Sequence, residues 1–222
     1  MVVKRRYESV HRQDQARQTR LAVLEGARKL FVASGYGGTT LAAIAAEAGV
    51  SVQTVYKIFG NKQTLLSELV DLTIAGDDEP VALAQRQFVA DIRALGTARA
   101  KLARYASHLV LTLSRQHDVM LAVAGAAAVD RDAAAIWEKN VTERRNGMSM
   151  FAAELATTGE LREDYSSEMV VDVLWLAMDL RNFDWLVRQR GWSTSQFEEW
   201  YVDSVAASIL RPSSDHAAAS PG

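Results

Sequence analysis

The chain has 222 residues, of which 49% are hydrophobic and 23% charged, and it contains no cysteine. This composition is typical of a globular protein, and the missing cysteine excludes disulfide bonds, thiol catalysis and cysteine-ligated metal sites. Three prolines and thirteen glycines favour a helical protein over one with many hairpin turns. The apolar runs are shorter than the ~20 residues of a membrane span, and the polar, basic N-terminus does not resemble a secretory signal. We therefore expect a cytoplasmic protein with no membrane partner.

The net charge of −2 conceals a strong asymmetry along the chain. Residues 1–63 contain ten basic and four acidic residues and carry +6, whereas the remainder contains 15 basic and 23 acidic residues and carries −8. Such asymmetry favours a segment that faces nucleic acid, joined to a body with another role. A solvated basic helix and tail would explain the charge equally well.

Amphipathic spacing predicts a first helix over residues 13–34. We expect the basic residues 1–12 before it to form a disordered tail, which in one interpretation reaches along DNA. Thr39 or Thr40 is then well placed to cap a short helix over residues 41–47.

A tight turn joins this short helix to a second one. Gly49 lies where the turn needs a positive φ, and Ser51 caps the second helix, which ends near Phe59-Gly60. Two short helices joined in this way form a helix-turn-helix. The side chains that packing does not need are those of Gln53, Thr54, Tyr56 and Lys57, which suit base edges and phosphates. A plain helical hairpin with a polar outer face is the alternative.

Asn61 caps a further helix, and the segment 76–80, with its glycine, acidic residues and proline, breaks the chain after it. Beyond this break the pattern is helical throughout, without alternating strands or internal repeats. We therefore predict an all-α fold of nine to ten helices, in which a three-helix DNA-binding head precedes a larger helical bundle.

A dense set of residues at fixed spacing runs from Thr19 to Leu66. It comprises Thr19-Arg20, Leu30-Phe31, Gly35-Tyr36, Thr39-Thr40-Leu41, Ile44-Ala45, Ala48-Gly49-Val50-Ser51, Thr54-Val55-Tyr56, Phe59, Lys62 and Leu65-Leu66. This segment resembles the DNA-binding domain of the TetR family of transcriptional regulators. Gln53 departs from the pattern, because many members have glycine there, and the change concerns the operator sequence or fit rather than the fold.

The resemblance implies which residues contact DNA. Thr40, Tyr56 and Lys62 would hold backbone phosphates, and residues 51–54 with Lys57 would lie in or beside the major groove. A lysine at a helix N-terminus, where the macrodipole disfavours a cation, is consistent with a shared phosphate, although an exposed lysine without a role is the alternative. The candidate DNA-binding residues are Thr39, Thr40, Ser51, Val52, Gln53, Thr54, Tyr56, Lys57 and Lys62.

The resemblance also implies a domain organisation. Residues 13–60 would form the DNA-binding domain, 61–75 a connecting helix and 76–210 a ligand-binding and dimerisation domain, with a disordered tail over 211–222.

One long helix over residues 166–189, apolar on nearly every side, predicts burial or an intermolecular contact. By resemblance, the last two long helices would form a homodimer across a two-fold axis; closure of the monomer core is the alternative. The candidate interface residues are Leu176, Leu180, Phe183, Val187, Phe197, Tyr201, Ser204, Val205 and Ser208.

Three middle helices carry apolar and aromatic residues close to polar ones, which is typical of a site for a small, mostly apolar molecule. The candidate ligand-binding residues are Tyr105, His108, Leu109, Trp137, Asn140, Arg144, Trp175, Met178, Asp179 and Asn182. Each of them is alternatively a core residue. We find no pattern of catalytic residues, cofactor-binding loop or metal ligands, so we expect no enzyme, no cofactor and no metal.

The function predicted from these observations is that of a homodimeric, ligand-responsive transcriptional repressor. By resemblance it would bind a palindromic operator in double-stranded DNA and be released by a small-molecule effector of unknown identity. The alternative is a helical DNA-binding or protein-interaction adaptor that does not respond to a ligand.

Overall fold

The computed structural model describes the backbone of residues 2–212 and the side chains of residues 11–212. The fold is all-α, as predicted, with an N-terminal helix-turn-helix. The helices are α1 (Val2–Gly38), α2 (Leu41–Glu47), α3 (Val52–Phe59), α4 (Lys62–Ala75), α5 (Gln87–Ala94), α6 (Ala98–Ala127), α7 (Arg131–Ala156), α8 (Ser167–Ala177), α9 (Leu180–Phe183) and α10 (Thr194–Ile209). A 3₁₀ turn at Leu83–Gln85 precedes α5, and a π-helical turn at Asp184–Gln189 follows α9. None of these helices is both long and apolar enough to cross a membrane.

The chain divides into two compact units. The head unit comprises Met1–Asp77 and Asp118–Lys139, and the body unit comprises Asp78–His117 and Asn140–Gly222. Most of the tail predicted at residues 211–222 lies outside the described residues. The side chains of the predicted N-terminal tail are described only from residue 11 onward.

The first helix begins at Val2, well before the predicted start at Gln13. The physical reason is that no glycine or proline precedes Gly26, so nothing in this stretch breaks a helix. The regular helix ends at Gly35, whose φ of 71° and ψ of 166° lie outside the helical region. This confirms the predicted stop, because a side chain is strained at such a positive φ and glycine is not.

Hydrogen bonds at the N-termini of the three following helices confirm the predicted caps. The Thr40 hydroxyl accepts from the Ala43 amide at 3.1 Å, and the Ser51 hydroxyl accepts from the Thr54 amide at 3.1 Å. The Asn61 side chain does the same for α4. Each cap satisfies an amide that the helix itself leaves without a partner.

The predicted helix over residues 166–189 is not continuous. It is interrupted at Asp179, whose side chain accepts from the Arg181 amide at 2.9 Å and thereby begins α9. Asn182 satisfies the carbonyl end of α8, because its side-chain amide donates to the carbonyls of Leu176 and Ala177. Asp and Asn compete with helical hydrogen bonding in this way, and an apolar pattern with helical spacing does not reveal the competition.

A buried lysine ties three helices of the body unit together. The side chain of Lys101 in α6 is only 2% exposed, and its Nζ donates to the Ile92 carbonyl at 2.9 Å and to Glu154 Oε1 at 2.6 Å. Ile92 lies near the end of α5, where the macrodipole favours a cation. Lys101 therefore satisfies a helix terminus and a carboxylate at once.

We predict that Lys101→Met lowers the free energy of unfolding by about 3 kcal/mol, because the apolar stem is kept while a buried carbonyl and a carboxylate lose their cation. Urea denaturation followed by circular dichroism measures the change. The matched control is Lys139→Met, which removes an exposed ion pair with Asp71 and should change stability by less than about 1 kcal/mol. Equal effects of the two substitutions would contradict the role given to Lys101.

Candidate nucleic-acid interface and buried polar cluster

The helix α3 has one buried face and one exposed face. Val55 and Phe59 are buried in the head unit, and Gly49, with a φ of 67°, makes the turn that brings α3 against α2. On the opposite face, Gln53, Tyr56 and Lys57 are exposed. These three side chains make no hydrogen bond or ion pair with the described residues, so their polar groups are free to meet base edges and phosphates.

The hydroxyls beside these residues are already engaged. Ser51 Oγ lies 2.8 Å from Thr54 Oγ1 and also caps α3, and Thr40 is exposed while it caps α2. Val52 is partly exposed at the first position of α3. These residues stay close to the exposed face of α3, and any contact with DNA has to be compatible with the caps.

Thr39 does not join this surface. Its side chain is buried, with 2% of the residue exposed, and its hydroxyl donates to the carbonyls of Gly35 at 2.8 Å and Leu30 at 3.1 Å. The inclusion of Thr39 among the candidate DNA contacts was wrong for its side chain. The sequence pattern of two adjacent threonines does not show which one caps outward and which one turns inward.

Lys62 has a structural contact that the sequence analysis did not foresee. Its Nζ donates to the Tyr36 carbonyl at 2.9 Å and to the Thr39 carbonyl at 3.2 Å, and it lies 4.0 Å from the centre of the Tyr36 ring. The ammonium therefore sits at the carbonyl end of α1, where the macrodipole favours a cation. This placement explains a lysine at the start of α4 without a phosphate.

Two ion pairs join α1 to the other helices of the head unit. Lys29 binds Glu47 of α2 at 3.0 Å, and Arg20 binds Glu68 of α4 at 2.8 Å. Tyr36 is buried nearby, and its hydroxyl lies 3.5 Å from Asp132 Oδ2. Burial and this carboxylate raise the pKa of Tyr36, so the phenol stays protonated.

In the body unit, five of the ligand-binding candidates come together. Arg144 Nη2 lies 3.5 Å from Asp179 Oδ2, and the Arg144 guanidinium lies 5.8 Å from the Trp175 ring centre. The Tyr105 hydroxyl lies 3.6 Å from the sulfur of Met178. We call Tyr105, Arg144, Trp175, Met178 and Asp179 the buried polar cluster.

The other ligand-binding candidates do not share this arrangement. The His108 ring stacks on Phe88 at 3.6 Å, and burial together with nearby arginines lowers the pKa of His108 to about 4, so the ring is neutral at pH 7. Leu109 and Asn140 are buried, and the Asn182 amide is used to end α8. Trp137 belongs to the head unit.

Two further aromatic residues lie against Tyr105: Phe151, which shares a helix face with Trp137 and Arg144 in the sequence, and Tyr201, which the sequence placed at the dimer interface. The Phe151 ring stacks on Tyr105 at 4.6 Å, and Tyr201 lies 5.8 Å from Tyr105 on another side. The Tyr201 hydroxyl is buried and makes no hydrogen bond within the described residues. The apolar spacing of α10 does not reveal this position, because Tyr201 shares its stripe with ordinary core residues.

Burial also revises the proposed dimer interface. Leu180, Phe183, Phe197, Tyr201 and Val205 are buried within the single chain and form part of its own core. Val187, Ser204 and Ser208 are partly exposed. Leu176 is 65% exposed, and Trp185, which the sequence analysis did not place at the interface, is 56% exposed.

Among the residues that the structure describes, no three His, Asp or Glu side chains are grouped in a way that would hold a metal ion.

Residues 23–69 match the family described as bacterial regulatory proteins, tetR family. No curated protein matches the chain. Among solved structures, the chain is similar to a protein of Saccharomonospora viridis described as a transcriptional regulator in complex with choline, at 21% identity and a TM-score of 0.65 over 87% of this chain and 98% of that chain. It is also similar to the transcriptional regulator FadR of Bacillus subtilis in complex with stearoyl-CoA, at 17% identity and a TM-score of 0.68 over 85% of this chain and 98% of that one.

At these identities the solved structures establish the fold, and the sequence match establishes the DNA-binding domain. The matched family and the similar structures are transcriptional regulators, which confirms the prediction that the chain is not an enzyme. The chain thus carries a DNA-binding domain of the TetR family over residues 23–69, and its fold is similar to that of solved transcriptional regulators.

Proposed function

We propose that the protein binds a palindromic operator as a homodimer and that a small, mostly apolar effector releases it, so that it acts as a repressor. The observation that carries the proposal is the exposed face of α3, where Gln53, Tyr56 and Lys57 have no partner among the described residues. A polar face that packing does not use suits the major groove. In this proposal residues 13–60 bind DNA, 61–75 connect and 76–210 bind the effector and the second protomer.

A response to a ligand is supported by two observations. The similar structures from S. viridis and B. subtilis hold choline and stearoyl-CoA, so this fold accommodates ligands of different chemistry. The body unit of the present chain has its own buried polar cluster, with hydrogen-bonding atoms that no described residue satisfies. Buried groups of this kind are costly unless another molecule satisfies them.

A homodimer is supported by the exposed apolar side chains at the end of the body unit. Leu176 and Trp185 are large, apolar and more than half exposed, and α10 presents the small residues Ser204, Ala207 and Ser208 on its outer side. Small residues allow a second helix to approach closely, and large apolar ones gain most from burial. A two-fold axis would place two α3 helices in successive major grooves, ~34–36 Å apart.

The DNA-binding residues are tested on an operator obtained by selecting a randomised duplex pool with the wild-type protein. We predict that Tyr56→Phe and Lys57→Ala weaken binding to the selected and to scrambled duplexes alike, since phosphate contacts carry no sequence information. Gln53→Ala is expected to change the order of preference among single-base variants, with about 1–3 kcal/mol lost at the base it reads. Fluorescence anisotropy measures each affinity.

The matched control for Lys57→Ala is Lys139→Ala, which removes an equally exposed lysine of the head unit from a helix outside the helix-turn-helix. The control should bind the operator as the wild type does. If Lys57→Ala and Lys139→Ala bind alike, α3 is not the DNA-reading helix.

Lys62 is predicted to serve both the fold and the DNA. Lys62→Met should lower the free energy of unfolding by about 1–3 kcal/mol, because the carbonyls of Tyr36 and Thr39 lose their donor. It should also reduce the slope of log affinity against log salt by about one per protomer, as loss of a phosphate contact does. Reduced stability with an unchanged salt slope would leave Lys62 with a structural role alone.

The dimer is tested by Leu176→Asp. We predict that this substitution shifts the protein from dimer to monomer in sedimentation velocity and weakens operator binding, because a charge would be buried at the contact between protomers. Val129→Asp is the control, since Val129 is also apolar and highly exposed but lies in the head unit. A dimer that persists with Leu176→Asp would place the interface elsewhere.

A further inference from the structure

We propose that the body unit binds an organic anion, a carboxylate on a mostly apolar molecule, and that Arg144 is the residue that recognises it. The inference rests on the proposed function in one respect: it takes this anion to be the effector. It goes further by stating the chemistry that the effector must have.

Arg144 is a buried cation with hydrogen-bond donors that no described residue uses. The Arg144 side chain is only 10% exposed, and its Nε and Nη2 atoms are buried without a hydrogen bond to any described residue. A guanidinium removed from water without acceptors is costly, and such groups in folded proteins mark a bound molecule or ion. Arg144 therefore has two donors, Nε and Nη2, that make no hydrogen bond with the described residues, although Nη2 forms a loose ion pair with Asp179.

Two arginines and one aspartate determine the local charge at Arg144. Asp179 is the carboxylate nearest to Arg144, with Oδ2 at 3.5 Å from Nη2, but it is held mainly by Arg181, which donates to Oδ1 with its amide at 2.9 Å and with Nε at 3.0 Å and reaches Oδ2 at 3.4 Å. Burial raises the pKa of Asp179, yet the hydrogen bonds from Arg181 and the charge of Arg144 lower it overall, so the carboxylate is ionised. Two guanidinium groups thus share one carboxylate and one positive charge is left over; because the Arg181 side chain is 64% exposed, the buried charge is that of Arg144.

The buried groups in this region that lack a partner among the described residues are hydrogen-bond donors. Besides the two Arg144 atoms, Trp175 Nε1 is buried without a partner among the described residues, and it too can only donate. The buried Tyr201 hydroxyl can donate as well. An excess of donors calls for a ligand that accepts, and the fork of a guanidinium matches the two oxygens of a carboxylate.

The apolar part of the ligand is indicated by what surrounds these donors. Tyr105 stacks on Phe151 and touches the sulfur of Met178, and Met148 is buried one turn of α7 from Arg144. Aromatic rings and methionine suit an apolar body of adaptable shape. A quaternary ammonium group does not fit this site, because it accepts no hydrogen bond and would be repelled by the Arg144 guanidinium.

The test compares acids with alcohols of the same skeleton on the full chain. The probes are decanoate with decan-1-ol, 4-phenylbutyrate with 4-phenylbutan-1-ol, and indole-3-acetate with indole-3-ethanol; decyltrimethylammonium serves as the cationic probe. Isothermal titration calorimetry gives each Kd. We expect at least one acid to bind about tenfold or more tightly than its alcohol, since charge-assisted hydrogen bonds are about twice as strong as neutral ones, and the cation not to bind.

Two variants assign the effect to Arg144. Arg144→Gln is expected to abolish the advantage of the acid over its alcohol, and Arg144→Lys to keep part of it, because lysine retains the charge without the fork. The control is Arg145→Gln on the same helix, whose guanidinium is exposed and pairs with Asp172 and Glu168. Circular dichroism checks that each variant folds, and Arg144→Lys decides the question if Arg144→Gln does not.

Three outcomes would overturn the inference: no acid binds more tightly than its alcohol, the acid keeps its advantage in both Arg144 variants, or the cation binds to the wild type. Operator binding is measured separately in the presence of each probe. If an acid binds through Arg144 without changing operator affinity, the anion site stands and its role as the effector site fails. If a neutral apolar compound releases the operator and the acids do not bind, the regulatory function stands and the anion site fails.

Discussion

The head unit is organised around the carbonyl end of α1. Lys62 and the Thr39 hydroxyl donate to carbonyls of residues 30–39, where a helix end otherwise leaves acceptors without partners. Because Thr39 precedes Thr40, the N-cap of α2, and Lys62 begins α4, the same contacts fix the chain where both helices start. The orientation of α3, which lies between them along the chain, depends on this arrangement. The exposed face of α3, the proposed DNA-binding surface, is thus positioned by hydrogen bonds at the end of α1 in which it takes no part.

Local signals explain why the head was predictable in detail. The cap residues Thr40, Ser51 and Asn61 and the turn at Gly49 act over three or four residues, so their consequences can be read along the sequence. The inward turn of Thr39 and the clamp made by Lys62 join residues that are far apart in the chain. Sequence spacing does not show such contacts, so neither the inward turn of Thr39 nor the structural contact of Lys62 could be predicted from it.

The sequence predicts that the body unit is helical, but not which of its apolar residues are buried within the chain and which are exposed. An apolar stripe shows that a helix face is buried, not what buries it. Phe197, Tyr201 and Val205 are covered by their own chain, whereas Leu176 and Trp185 remain exposed, although all of them lie on apolar helices. The break at Asp179 ends α8 and starts α9, and it separates the exposed Leu176 from the buried Leu180. Asp179, one polar residue among many apolar ones, thus marks a helix boundary that the apolar stripe does not show.

The same Asp179 links the fold of the body to its chemistry. Its Oδ1 holds Arg181 and begins α9, and its Oδ2 lies 3.5 Å from the buried Arg144 without making a hydrogen bond to it. The chain beyond residue 63 carries −8 and has many carboxylates, yet the one nearest to Arg144 is the one that begins α9. The surplus positive charge is therefore a consequence of how the helix is interrupted rather than of overall composition. An anion bound at Arg144 would complete the pairing and would contact α7, α8 and the start of α9 together, which is where a ligand must act to alter the packing of these helices.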